Sequence, residues 1–175
     1  MSIDEVVKRV DDYLIAYETT LGYDIYKTKL ISKINLKVSG ELFLSGLEGY
    51  KAVSDGELIV DLVVSVINET LEGDVSCEHR YYYVDDAEME TWNNGSYLVE
   101  IADLLDRSLK EGKKILVHCR AGMSRSATVV LYYLITKYLD RTTKEEDVLK
   151  AIQIVKNIRT CIYPNLGFIK LLLLC

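Results

Sequence analysis

Lys114-Ile115-Leu116-Val117-His118-Cys119-Arg120-Ala121-Gly122-Met123-Ser124-Arg125-Ser126 runs without a break into Ala127-Thr128-Val129-Val130-Leu131-Tyr132-Tyr133-Leu134-Ile135. The first four residues, short and apolar, read as a buried strand. The small residues that follow read as a loop, and the residues from Ala127 onward as a helix. A loop that wraps back onto a helix N-terminus turns its backbone N–H groups inward and attracts anions. A cysteine inside such a cradle is held as thiolate by the same donors and the same dipole. Arg125, six residues after Cys119, offers a planar fork able to grip two phosphoryl oxygens at once. Nucleophile, anion cradle and charge clamp within one loop describe phosphoryl transfer through a cysteine. Treating Cys119 as one more small buried residue leaves both Gly122 and Arg125 without a reason.

The stretch resembles the signature loop of the cysteine-dependent protein phosphatases, His-Cys-x5-Arg-Ser/Thr. Its Ala-Gly-x-Ser-Arg-Ser form is most similar to the dual-specificity branch. The resemblance implies that Cys119 attacks phosphorus in line to give a cysteinyl-phosphate. The backbone N–H groups of Arg120, Ala121, Gly122, Met123, Ser124 and Arg125 would then bind the equatorial oxygens. It also implies that the Ser126 hydroxyl helps sulfur leave in the second step, although the residue alone reads equally as a helix N-cap. His118 is expected to fix the loop and tune the thiolate, not to act as a base, and Ser124 to brace the loop by hydrogen bonding. Arg120 is expected to point outward and add positive charge at the rim. The leaving oxygen needs a proton, and the family takes it from an aspartate on a loop after an earlier strand. Matching Tyr82-x-Val84-x-Asp86 to the family's apolar-x-apolar-x-Asp pattern selects Asp86. A slip of one residue selects Asp85.

The chain has 175 residues, 49% of them hydrophobic and 27% charged, which suits one globular domain with a real core. A formal net charge of −6 disfavours partners held by general electrostatics, so neither nucleic acid nor an anionic membrane is expected. Four cysteines and two histidines without metal-ligand spacing predict no metal site, and no cofactor is expected. A catalytic thiolate is useful where it stays reduced, which favours a cytoplasmic or other reducing intracellular compartment, the nucleus included. The first apolar residues are interrupted by Asp4, Glu5, Lys8 and Arg9, unlike a secretory signal. Leu171–Leu174 is too short to span a bilayer, and a cysteine at the last position is no prenylation box. Asn68-Glu69-Thr70 and Asn94-Gly95-Ser96 match the glycosylation pattern, to which no meaning is attached without a secretory route.

Strands alternating with helices predict an α/β fold. It would be a central, mostly parallel twisted sheet of about five strands with helices on both faces, plus an N-terminal amphipathic helix. Residues 1–28 read as that helix and 29–175 as a catalytic domain similar to the family throughout. Ser2 and Glu5 form a capping box. Behind it, Ile3, Val6, Val7, Val10, Leu14, Tyr17 and Leu21 recur at helical spacing as far as a stop at Gly22. The stripe is expected to dock on its own domain. Exchange into a second copy, giving a homodimer as in some viral relatives, is the alternative.

Leu42–Leu44 reads as a strand and Leu47–Ala52 as the start of a short helix. Leu62–Ile67 reads as a central buried strand and Arg80–Val84 as another. Trp92-Asn93-Asn94-Gly95 is expected to absorb a small insertion before a helix from about Tyr97 to Lys110. The helix after the signature loop should run to about Leu139. Thr143 and Glu146 form a second capping box, and Pro164-Asn165-Leu166-Gly167-Phe168, also similar to the family, opens the last helix.

A chain this short leaves little room for the long loop that deepens the pocket of tyrosine-only relatives. The resemblance therefore implies a phosphoprotein substrate carrying phosphotyrosine or phosphoserine/threonine. A phosphoinositide or an RNA 5′-phosphate is the alternative, disfavoured by a loop with one extra basic residue and by the acidic Glu88–Glu90 segment. A phospho-binding module without catalysis is the third reading, although none of its usual replacements is present.

Overall fold

The computed structural model describes the backbone of residues 1–21 and 30–175 and the side chains of 1–16 and 30–175. The expected stop at Gly22, the boundary at 28/29 and the side chains of Tyr17 and Leu21 lie outside the described residues. Five strands, β1 (Ile31–Ile34), β2 (Glu41–Ser45), β3 (Leu62–Ile67), β4 (Glu78–Tyr83) and β5 (Lys114–His118), form one sheet in the order β1-β2-β5-β3-β4. β1 runs antiparallel to β2, and every other pairing is parallel. β5, the strand that carries the signature, therefore lies in the middle, with β2 on one side and β3 on the other.

Period-two alternation distributes the core over the two faces of the sheet. Leu42, Leu44, Leu62, Val64, Val66, Ile115 and Val117 join one cluster with residues of the helices α1 (Ile3–Leu21), α3 (Ser96–Lys110), α4 (Arg125–Tyr133), α5 (Lys144–Lys156) and α6 (Leu166–Leu174). Phe43, Val63 and Leu116 face the other way, onto Tyr50 and Val53 of α2 (Leu47–Ser54). Both faces are covered, which is why β3 is buried along its whole length.

α1 buries Val7, Val10 and Leu14 against α5 and α6. Its start is the expected capping box: Ser2 N donates to Glu5 Oε2 at 2.8 Å, and Glu5 N donates to Ser2 Oγ at 3.3 Å. Arg9 pairs with Glu145, Tyr163 donates to Asp11, and Lys170 reaches Asp4 at 3.3 Å. At the start of α5, Thr143 Oγ1 accepts from Glu146 N at 3.2 Å.

Two elements differ from the sequence-based expectation. The helix after the signature is α-helical only to Tyr133 and continues as a π-helical turn over Leu134–Tyr138, a local geometry that composition does not signal. The segment before α3 is a run of four left-handed residues, Trp92, Asn93, Asn94 and Gly95, with φ of 55°, 53°, 58° and 79°. Asparagine and glycine take this conformation at little cost, whereas tryptophan does not. Complete burial of the Trp92 ring, edge-on to Phe168 at 5.2 Å, offsets it.

Candidate active site

β2, β5 and β3 are parallel neighbours, so their carboxyl ends converge, and Ser45 and Ser65 are both register partners of His118. In open α/β sheets this end of the sheet is where ligands bind. The chain leaves β5 at His118, turns through 119–124 and enters α4 at Arg125. Gly122 sits at φ +67°, where a Cβ would meet Ser45 C at 2.5 Å and Gly46 N at 2.6 Å. Only glycine fits this turn.

Cys119 is 2% exposed. Its sulfur accepts from Gly122 N at 3.2 Å and lies 3.0 Å from Ser126 Oγ. Helix α4 is capped at Ser124, so Ser126 is not the N-cap: its hydroxyl faces the sulfur from inside the first turn. Ser124 Oγ accepts from Asn165 N at 3.1 Å, a brace of the expected kind.

Behind the loop stands Arg159, 4% exposed. Its Nε donates to Gly122 O at 2.8 Å and its Nη2 to Ala121 O at 3.2 Å, while Nη1 reaches Ser32 Oγ and Leu30 O at 3.3 Å. Met123 O accepts from Tyr163 N at 2.7 Å. These hydrogen bonds fix the carbonyls of residues 121–123 from behind, the bracing that a backbone anion nest requires.

Arg125 is 7% exposed. Its Nη1 donates to Asn68 Oδ1 at 2.9 Å and to Val84 O at 3.1 Å. Its Nε is buried without a hydrogen-bond partner among the described residues. A buried cationic donor left open is costly unless a ligand completes it.

His118 Nδ1 lies 3.0 Å from Cys119 O, and its Nε2 lies 2.6 Å from Ser65 Oγ. Burial pushes its pKa down to about 4, so the ring is neutral at physiological pH.

Asp85 and Asp86 follow β4 and are both exposed. Asn165 Nδ2 donates to Asp86 Oδ1 at 2.9 Å, and Asn68 Nδ2 donates to Asp85 Oδ1 at 2.9 Å. Each carboxylate is thus one amide away from the loop. The Glu90 carboxylate shapes this segment by accepting from Asp85 N at 2.8 Å and Trp92 N at 3.0 Å.

The expectation for Arg120 needs correction. Its guanidinium does face outward, but Nη1 donates to both Glu69 carboxylate oxygens at 2.8 and 2.7 Å, so the rim carries an exposed ion pair and not an unpartnered positive charge. That pair borders a cleft of about 610 Å³ lined also by Glu48, Tyr50, Lys51 and Leu71. Among the described residues, no group of three or more His, Cys, Asp or Glu side chains is placed to hold a metal ion, and no helix is long and apolar enough to cross a membrane.

Sequence reasoning missed Asn68, Arg159 and the amide of Asn165. Asn68 reads in the sequence only as part of a glycosylation pattern, yet a polar residue directly after the buried strand β3 marks the carboxyl end where sites are built. Arg159, a charged residue beside the apolar face of α5, was a signal of the same kind.

A family model for the dual specificity phosphatase catalytic domain matches residues 43–175. Rat dual specificity protein phosphatase 5 is 32% identical over 116 residues, covering 66% of this chain and 28% of that protein. Protein 123R of Invertebrate iridescent virus 6, which bears a tyrosine-phosphatase name, is 43% identical over 75 residues, covering 43% of this chain and 49% of that one. OH1, a tyrosine phosphatase of the Orf virus, superposes with a TM-score of 0.70 at 19% identity, over 91% of this chain and 95% of that one. The chain spans about half or less of the length of these curated relatives. It belongs to the dual specificity phosphatase family, with the α/β sheet and covering helices of that fold.

Proposed function

We propose that this protein is a phosphatase that hydrolyses phosphotyrosine and phosphoserine/threonine in proteins through a cysteinyl-phosphate intermediate. The observation that carries the reading is a buried cysteine sulfur facing Gly122 N and the Ser126 hydroxyl, with the open Nε of Arg125 in the same loop.

The Cys119 thiolate attacks phosphorus in line. Arg125 and the loop N–H groups of residues 120–125 take the equatorial oxygens, and the ester P–O bond breaks as its oxygen accepts a proton. Asp86 supplies that proton, a role supported by its link through Asn165 to Ser124 of the loop. Water then attacks the cysteinyl-phosphate and gives a proton back to the aspartate, while Ser126 donates to the departing sulfur. Asp85 is the second candidate, since Asn68 ties it to Arg125.

The Arg120–Glu69 pair supports a protein substrate over a phosphoinositide or RNA 5′-phosphate, because the loop's one extra cation already has a carboxylate partner with which a polyanion must compete. Cys119, Arg125 and an aspartate pair are all present, which favours an enzyme over a binding module. The four free cysteines support a reducing, cytoplasmic setting. Residues 29–175 serve as the catalytic domain in this reading, with the N-terminal helix as its brace. The α1 contacts with α5 and α6 fit docking on the same chain and exchange between two copies alike, and light scattering of the purified protein distinguishes a monomer from an exchanged dimer.

Release of phosphate from a small aryl phosphate by the wild type, and none by a folded Cys119→Ser variant, is the expected result. Equal inactivity of both removes the enzyme reading. A panel of phosphopeptides, inositol lipids and triphosphorylated RNA then selects the substrate class.

A further inference from the structure

The chain has only two histidines, and one serine joins them. Ser65 Oγ lies 2.6 Å from His118 Nε2 and 2.7 Å from His79 Nε2. The topology makes this possible. β3 lies between β5 and β4, Ser65 pairs in register with His118, and Val63 pairs with His79. The three side chains therefore project from adjacent strands onto the α2 face of the sheet. Tyr50 of α2 packs over both imidazoles, with ring centroids 5.2 Å from His118 and 5.5 Å from His79. Its own hydroxyl is committed to Gly73 O at 2.8 Å.

The direction of each hydrogen bond follows from what each atom can do. Cys119 O is a carbonyl and can only accept, so His118 carries a proton on Nδ1. A neutral, buried His118 then has a bare Nε2, which accepts from the Ser65 hydroxyl. Ser65 has one proton and has given it away, so its oxygen accepts from Nε2–H of His79. Every donor in the row points the same way, toward the peptide that joins Cys119 to Arg120.

We infer that Ser65 and His79 are positioning residues for the nucleophile, acting through a one-way hydrogen-bond chain from His79 to Ser65 to His118 to the Cys119 carbonyl. A carbonyl that accepts a hydrogen bond polarises its own peptide unit, and successive hydrogen bonds strengthen one another by roughly 10–30% each. The unit polarised here ends in Arg120 N–H, one of the loop donors. The chain also locks the His118 tautomer: with its proton on Nε2 instead, Nδ1 would oppose the carbonyl oxygen lone pair to lone pair. The inference builds on the proposed role of Cys119, but neither measurement below requires turnover.

The first measurement is the 15N spectrum of the two imidazoles in the wild-type protein. His118 is expected with its proton on Nδ1 and His79 with its proton on Nε2; a His118 protonated on Nε2 overturns the chain. The second is the rate of Cys119 alkylation by iodoacetamide as a function of pH. Ser65→Ala is expected to move the midpoint of that profile upward by about one unit, comparable to the spread protein environments impose, and to mix the His118 tautomers. Ser65→Thr, which keeps the hydroxyl, should restore both. His79→Gln, which keeps an N–H donor, should stay near wild type, while His79→Phe should move part of the way toward Ser65→Ala. A Ser65→Ala profile superimposed on wild type overturns the inference. Should a variant fail to fold, the wild-type spectrum still decides.

Discussion

Arg125 is held by one side of its guanidinium and left open on the other. Asn68 and Val84 O fix Nη1, which aims the fork before any anion arrives. Lysine in its place would keep the charge but lose the planar bidentate grip and the tether. Arg125→Lys should therefore lower kcat toward aryl phosphates about 10²- to 10³-fold, the usual cost of one oxyanion donor. Asn68→Ala, which keeps the arginine but frees it, should have a smaller effect in the same direction. The two aspartates separate by leaving group. For the true acid, aspartate→asparagine should slow phenyl phosphate far more than p-nitrophenyl phosphate, since a good leaving group needs little protonation. The deficit is expected for Asp86→Asn, and a deficit confined to Asp85→Asn would reverse the assignment. At Gly122, where φ is +67° and backbone lies 2.5 Å from a new Cβ, alanine should cost about 1–3 kcal/mol of stability by denaturant unfolding and reduce activity as well.

Helix starts in this protein do unequal jobs. Thr143 caps α5 by accepting from Glu146 N, and Asn165 caps α6 by accepting from Phe168 N at 3.0 Å. Loss of either cap should cost about 1 kcal/mol. The Asn165 amide, however, also donates to Asp86, and its backbone N–H reaches Ser124. Thr143→Ala should therefore lower only the unfolding free energy, while Asn165→Ala should lower kcat too, by more than its stability loss explains. Parallel denaturation and steady-state kinetics on the two variants make the comparison. Equal activity in both would mean that the α6 cap does not position the acid. The N-cap of α4 is different again, since the Ser124 hydroxyl accepts from Asn165 N and makes no side-chain cap hydrogen bond to its own helix.

Across the whole molecule, the two histidines link stability to pH. Burial lowers the His118 pKa from 6.5 to about 4 and also lowers that of His79. The unfolded chain therefore binds protons that the folded one refuses between pH 6.5 and about 4, so stability is full above 6.5 and falls as pH drops through that window. His118 alone accounts for roughly 3 kcal/mol of this at the 1.36 kcal/mol that one pKa unit is worth. Asp147 works in a lower range. Its burial opposes charge, but hydrogen bonds from Thr142 and the Arg141 guanidinium hold its pKa below 3.8, so its contribution is lost only beneath that value. Melting temperature measured from pH 7 to 4 should fall for the wild type and fall distinctly less for His118→Asn. Parallel curves would show that the histidine does not carry the linkage.

Strand β5, the cradle loop and α4 could be read from residues 114–135 because their signals are local: a short apolar run, a glycine at a turn, a cysteine and an arginine at fixed spacing. The alternation of strands and helices gave the layered sheet for the same reason, since hydrophobic period is a property of neighbours along the chain. What held the loop from behind could not be read that way. Arg159 comes from beyond α5, Asn68 from the end of β3 and Asn165 from the start of α6, and each meets the loop only because the sheet order brings β3 beside β5 and packs α4, α5 and α6 together. The pairing of Arg120 with Glu69 and the row from His79 to Cys119 are likewise contacts between distant segments. Sequence by itself determined the chemistry on offer, because the cysteine and the arginine proposed as nucleophile and clamp lie on one turn of chain. Tertiary structure decided how that turn is aimed, because aiming it takes hydrogen bonds from segments that only the folded sheet and helices bring within reach.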